Sequence, residues 1–240
     1  VNKILGDRKG RWKGVKWIEK EIKKLANKPN RIKLKDVIWA IRTSKLTGDT
    51  AGYGQIVPLV NPNYNNLRML WHSPIGAVSS PFSPIFMGQT IIPEEFMMHR
   101  YLTVGESHRF SNDRKKNEKD SLSFVSQGVE STVSAVYECK RLLYLILQNK
   151  NRFLSLATNA FEDREKKLIN NTNKILKTTK IFLKKNKKTL CKRMLNNFSI
   201  TELRNGLKLV QTLSKNMEVK IRKSKGFTKN IKPKSFNQIW

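Results

Sequence analysis

Cysteine and histidine are scarce in this chain, and acidic residues are far outnumbered: 2 Cys, 3 His and 18 Asp+Glu stand against 48 Lys+Arg in 240 residues. Cys139 and Cys191 are far apart, form no CxxC pair and fall in helix-like stretches, which suits reduced core or surface thiols better than a disulfide framework. His72, His99 and His108 make no HExxH, so they read as hydrogen-bonding side chains, with no metal and no cofactor expected. There is no GxxxxGK[ST] and no GxSxG, and Gly52-Tyr53-Gly54 lacks the third glycine of a dinucleotide fingerprint. Long apolar runs are also missing. The run Leu142–Leu147 falls far short of a membrane span, and VNKILGDRKGRWKG at the start has no apolar h-region. The expectation is a cytoplasmic protein with no membrane partner.

What the chain has in excess is positive charge, a formal +30, and it is unevenly placed. Residues 41–112 hold 5 basic and 4 acidic side chains, whereas 171–240 hold 19 and 2. Such a basic end suggests an RNA or another anionic surface as partner for residues 171–240. The excess is mostly lysine, however, and arginine is the residue suited to bidentate phosphate or guanine recognition. Lysine rising together with asparagine fits AT-rich coding of tolerant surface positions, and that account ranks ahead of nucleic-acid binding.

Periodicity divides the chain. Residues 16–27 and 33–43 read as short helices, the second with Leu34, Val37, Ile38 and Ile41 on one face. Gln55–Val60 and Leu67–Trp71 read as strands, with Pro58 confining the first to an edge. Residues 73–128 read as mostly irregular, with prolines at 74, 81, 84 and 93, and Asn112–Asp120 as a solvated insertion. From Val129 onward the pattern is helical: one helix through Leu147, a second over Phe153–Leu168, and a third stripe of Leu176, Leu183, Leu190 and Met194. The capping box Ser199-x-x-Glu202 predicts the start of a last helix carrying Leu203, Leu207, Val210 and Met217. Two regions result, 1–128 and 129–240, the latter lysine-rich after 171.

The segment of the first region that is almost free of charge, WHSPIGAVSSPFSPIFMGQTIIPEEF (Trp71–Phe96), is followed by Arg100, Glu106 and Arg109. An arginine beside an apolar wall can clamp a carboxylate, and a glutamate can hold an amine, so these three could grip both ends of a short peptide. A purely structural pairing of Glu106 with Arg100 or Arg109 is the plainer alternative.

The order of segments resembles the later part of the dipeptidase family of N-terminal-nucleophile cysteine hydrolases. The resemblance rests on KDVIWAIR (Lys35–Arg42), then Trp71-His72-Ser73-Pro74 and Ser80-Pro81-Phe82-Ser83-Pro84-Ile85-Phe86. It continues with Gly88-Gln89-Thr90-Ile91-Ile92-Pro93, Glu130–Ala135 and FEDREKKL (Phe161–Leu168), covering roughly residues 33–170. It implies an α+β fold, part of the αββα sandwich of these hydrolases with a mostly helical C-terminal half. It also implies cleavage of short peptides, with Ser79, Ser80 and Phe82 shaping the substrate side. The family's nucleophile is an N-terminal cysteine whose own α-amine acts as base. This chain starts at Val1 and has no cysteine before 139. The resemblance therefore implies a truncated, split or decayed form, inactive alone, with a separate N-terminal half-chain as a further partner. A partial sandwich with open edges is also expected to dissolve poorly.

Overall fold

The computed structural model describes residues 11–26, 32–43, 53–58, 62–98, 105 and 133–225. Its elements are α1 (Arg11–Ala26), α2 (Leu34–Arg42), β1 (Gly54–Ile56), β2 (Met69–Ser73) and β3 (Ser83–Phe86). They are followed by a short α3 (Glu94–Met97), then α4 (Ala135–Gln148), α5 (Lys150–Lys184) and α6 (Lys188–Lys225). The fold is thus α+β and mostly helical, with one small sheet among the described residues.

That sheet is antiparallel in the order β1-β2-β3, with Ile56 opposite Trp71 and Trp71 opposite Pro84. β1 is an edge strand and stops before Pro58, as the proline requires. β3 was not foreseen in the segment read as irregular. A proline inside Ser83–Phe86 argues against a central strand, but β3 is the other edge, where a missing N–H is tolerated. Gly54 is needed where it stands, because a Cβ there would lie 2.9 Å from Phe82 Cζ and 3.3 Å from Ser73 Cβ.

α4 opens on Ser134, whose hydroxyl donates to the Met98 carbonyl at 3.0 Å and accepts from the Tyr137 amide. The helices after it are longer and fewer than the sequence suggests. α5 runs unbroken for 35 residues and α6 for 38. Leu176 and Leu183 belong to α5, Leu190 and Met194 to α6, and the chain reverses between them at Lys185–Lys187. Asn186 takes the left-handed φ of 54°. The Lys187 amide donates to the Phe182 carbonyl at 2.8 Å and the Asn186 amide to that of Leu183 at 3.0 Å, the Schellman pattern of a helix end.

The expected capping box is not used. Ser199 and Glu202 lie in the middle of α6, and the Ser199 side chain is buried. The reason is the stripe Cys191, Leu195, Ser199, Leu203, Gly206, Val210, Ser214 and Met217, buried throughout at helical spacing. Continuous packing along it outweighs a local cap.

Three apolar clusters form the interior. One joins α4, α5 and α6 through Leu142, Ile146, Phe153, Phe161 and Val210; one surrounds Trp71, Phe82, Ile38 and Leu168; the third holds Leu67, Phe86, Leu183 and Leu195. The segment 71–86 supplies a side chain to each: Ile75 to the first, Trp71, Ala77 and Phe82 to the second, Phe86 to the third.

Candidate functional site

The proline-rich segment is held in the interior by two arginine–carboxylate clasps. In the first, Arg42 at the end of α2 donates from Nη1 to Glu165 Oε2 at 2.6 Å and from Nη2 to Oε1 at 2.5 Å. Both side chains are 3% exposed. Each remaining polar atom also finds work. Arg42 Nε donates to the Ala77 carbonyl at 3.0 Å, and the Phe82 amide donates to Glu165 Oε1 at 2.7 Å. The guanidinium also lies over the Phe161 ring, 5.4 Å from its centroid. A buried ion pair is tolerable only when its other hydrogen-bonding capacity is met in this way.

The second clasp comes from the preceding residue of α5. Arg164 donates to the Phe82 carbonyl at 2.9 Å and to Ser83 Oγ at 3.2 Å, and reaches both the carbonyl and the carboxylate of Glu202 on α6. Burial pulls the Arg164 guanidinium below its usual value, while the charges of Glu202 and Glu165 oppose the shift. The Phe82 peptide is thus gripped at its N–H by Glu165 and at its C=O by Arg164.

Between the clasps and α4 lies a row of small polar groups. Ser73 Oγ donates to the Ile75 carbonyl at 2.9 Å, and lies 2.9 Å from Ser80 Oγ. Cys139 is fully buried beside Ser80; burial pushes its thiol up to about 12, the Ser80 hydrogen bond opposes this, and the Glu138 charge adds to it. A thiol so placed is neutral at ordinary pH and is no nucleophile. His72 and Cys139 line one cavity, but its volume is about 10 Å³, the room of a single water at most. Burial also lowers the His72 pKa.

Open concavities lie on the other side of the sheet, where α2 meets α5. One groove of about 610 Å³ is walled by Leu34, Pro58, Met69, Trp71, Ile169 and Leu176, with Arg68 and Lys180 as its cations. Its neighbour across Leu34 and Ile169 holds about 520 Å³. Both are within the size range of small-molecule sites.

Of the residues singled out from sequence, Ser79, Ser80 and Phe82 lie in the connection between β2 and β3, and all three are buried. The Ser79 hydroxyl has no hydrogen-bond partner among the described residues. Arg100, Glu106 and Arg109 lie outside the described residues. Of the residues that organise the segment, sequence reading gives Arg42, Arg164 and Glu165 no role of their own and assigns Glu202 to a helix cap. A signal existed for two of them: Arg42 follows buried Ile38 by four positions, and Glu165 follows buried Phe161 by four. A charge in phase with an apolar stripe is one the fold must pair.

Among the described residues no helix is long and apolar enough to cross a membrane, and no group of three His, Cys, Asp or Glu side chains is placed to hold a metal. No protein-family model, no curated protein and no solved structure matches this chain.

Proposed function

We propose that these residues form the substrate-side portion of a peptide hydrolase related to the dipeptidases that use an N-terminal cysteine. The observation that carries this reading is a convergence. Arg42 closes the KDVIWAIR segment, Phe82 sits in the serine-proline-phenylalanine segment, and Glu165 lies in FEDREKKL. These three stretches, on which the resemblance rests, meet in one buried hydrogen-bonded cluster.

On this reading the three-stranded sheet is a piece of one β-layer of an αββα sandwich, and the clasped segment gives the substrate pocket a rigid wall. The attacking thiolate and its base, the α-amine of the same residue, come on this reading from a separate segment, since Cys139 and Cys191 are both buried and burial raises the pKa of each. Arg100, Glu106 and Arg109 come after α3 in sequence and carry charges suited to the two ends of a dipeptide.

The test is to assay the chain on a dipeptide panel, alone and together with the polypeptide encoded immediately upstream. Expected is no turnover alone, and iodoacetamide-sensitive hydrolysis that persists in Cys139→Ala when the upstream segment is present. Turnover by the chain alone that Cys139→Ala abolishes, or no hydrolysis in either setting, overturns the reading.

A further inference from the structure

We propose that the solvent face of α5 and the turn that follows it form a docking surface for the phosphodiester backbone of a nucleic acid, bound without sequence preference. Between residues 166 and 201 the chain carries eleven basic residues and no acidic one. Six of them, Lys166, Lys167, Lys174, Lys177, Lys180 and Lys184, lie on α5, and all six are exposed. At about 100° per residue they fall within an arc of about 140°. The buried positions of the same helix, from Phe153 and Phe161 to Thr172 and Leu183, occupy the opposite arc. The lysines therefore form one broad band along the helix, about 27 Å long at a rise of about 1.5 Å per residue. Five more basic residues, between 185 and 193, continue it around the Asn186 turn, and all of these are exposed too.

An ordinary solvated helix face intersperses the two signs of charge. Glu162 and Asp163 lie on the same face one turn before Lys166 and Lys167, but from 166 onward this face of α5 carries no acid, and among the described residues no carboxylate pairs with any of the eleven, unlike Arg141, Arg204 and Arg222 elsewhere. A field of one sign along a rigid rod attracts a polyanion and is screened only over a Debye length of about 8–10 Å.

The surrounding chemistry separates nucleic acid from a lipid surface. A helix that binds a membrane inserts an apolar face beside its cations, but the apolar face of α5 is packed in the core, and Ile181 is the one large apolar side chain exposed between 166 and 201. Phe182 and Phe198 are taken up by the cluster around Phe86 and Leu195, so no aromatic platform is offered to bases. With one arginine among the eleven, there is also little bidentate reading of base edges. Charge contact with phosphates is what remains. The surface borders the grooves beside α2 through Lys166 and Lys180, but its test involves no peptide, so it stands or falls apart from the hydrolase reading.

The test compares two variants of equal net charge. In the first, Lys174, Lys177, Lys180 and Lys184 become Gln; in the second, Lys208, Lys215, Lys220 and Lys223 of α6 become Gln. Glutamine matches lysine in helix propensity, and circular dichroism verifies that both fold. Fluorescence anisotropy with a duplex DNA and a single-stranded RNA, each about 20 units long, is recorded between about 50 and 200 mM salt. Expected is a log–log salt slope shallower by about 3 to 4 in the stripe variant, with affinity down at least about ten-fold, since each phosphate contact contributes about 0.9. The α6 variant stays within about two-fold of the parent, Lys→Arg at the four stripe positions retains binding, and the stronger of the two arms names the nucleic acid. Equal weakening of both variants, no effect of either, or stripe-dependent binding only to phosphatidylserine vesicles overturns the proposal.

Discussion

The Phe82 amide and the Arg42 guanidinium meet on one oxygen, Glu165 Oε1, at 2.7 and 2.5 Å. A single carboxylate on α5 thereby fixes both the end of α2 and the proline-rich turn, 123 and 83 residues away in sequence.

Glu165→Gln keeps the shape of that side chain but leaves Arg42 buried without a countercharge. The expected loss is about 3–5 kcal/mol of unfolding free energy, read from the urea midpoint by circular dichroism. Changing both partners, Arg42→Met with Glu165→Leu, should cost less than Glu165→Gln alone, because no buried charge is left unpaired. It should still fall short of the parent, since the Phe82 amide loses its acceptor. A double variant as unstable as Arg42→Met and Glu165→Leu measured singly and summed would mean that the pair is not coupled.

Cys139 predicts a slope in alkaline solution. Its folded-state pKa, raised to about 12, lies above the unfolded value of about 8.5. The unfolded chain then releases a proton that the folded chain keeps. The contribution is fully present below about pH 8.5 and falls by up to about 1.4 kcal/mol per pH unit as pH climbs toward 12. Cys139→Ala should flatten this limb relative to the parent in urea titrations at pH 8, 9 and 10, whatever the substitution does to absolute stability. The native thiol should also resist aromatic disulfide reagents until the protein is unfolded.

Ser199 distinguishes two readings of α6 directly. As an N-cap its replacement by alanine would cost about 1 kcal/mol. As a buried mid-helix hydroxyl with no partner among the described residues, it gains from the same change. Ser199→Ala is expected to raise the melting temperature, with a gain of about 0.5–1 kcal/mol.

The elements that could be read from sequence are those whose pattern is local. α2 follows from Leu34, Val37, Ile38 and Ile41, and the first two strands from short apolar runs between turns. The long helices were divided too finely because polar residues occupy their buried phase. Thr172 and Thr179 lie in the core of α5 yet satisfy themselves, donating to the Leu168 and Ile175 carbonyls at 2.8 Å. Such positions look like breaks in an apolar stripe and are not. β3 was hidden by Pro84, which only the strand order makes acceptable. Arg42 and Glu165 each showed as a charge in an apolar row, but sequence held nothing to say that two rows so far apart meet. The serine-proline-phenylalanine segment stood out at once, while its burial depended on helices read too short.

The segment 71–86 also sets how the protein comes apart. Since each of the three apolar clusters takes a side chain from it, none can be completed while it is undocked. The sheet, α4 and the far end of the helical hairpin should therefore open as one cooperative unit. Native-state hydrogen exchange should report a single opening free energy for the amides of Trp71, Leu142 and Leu183, and separate values would show that the clusters melt independently.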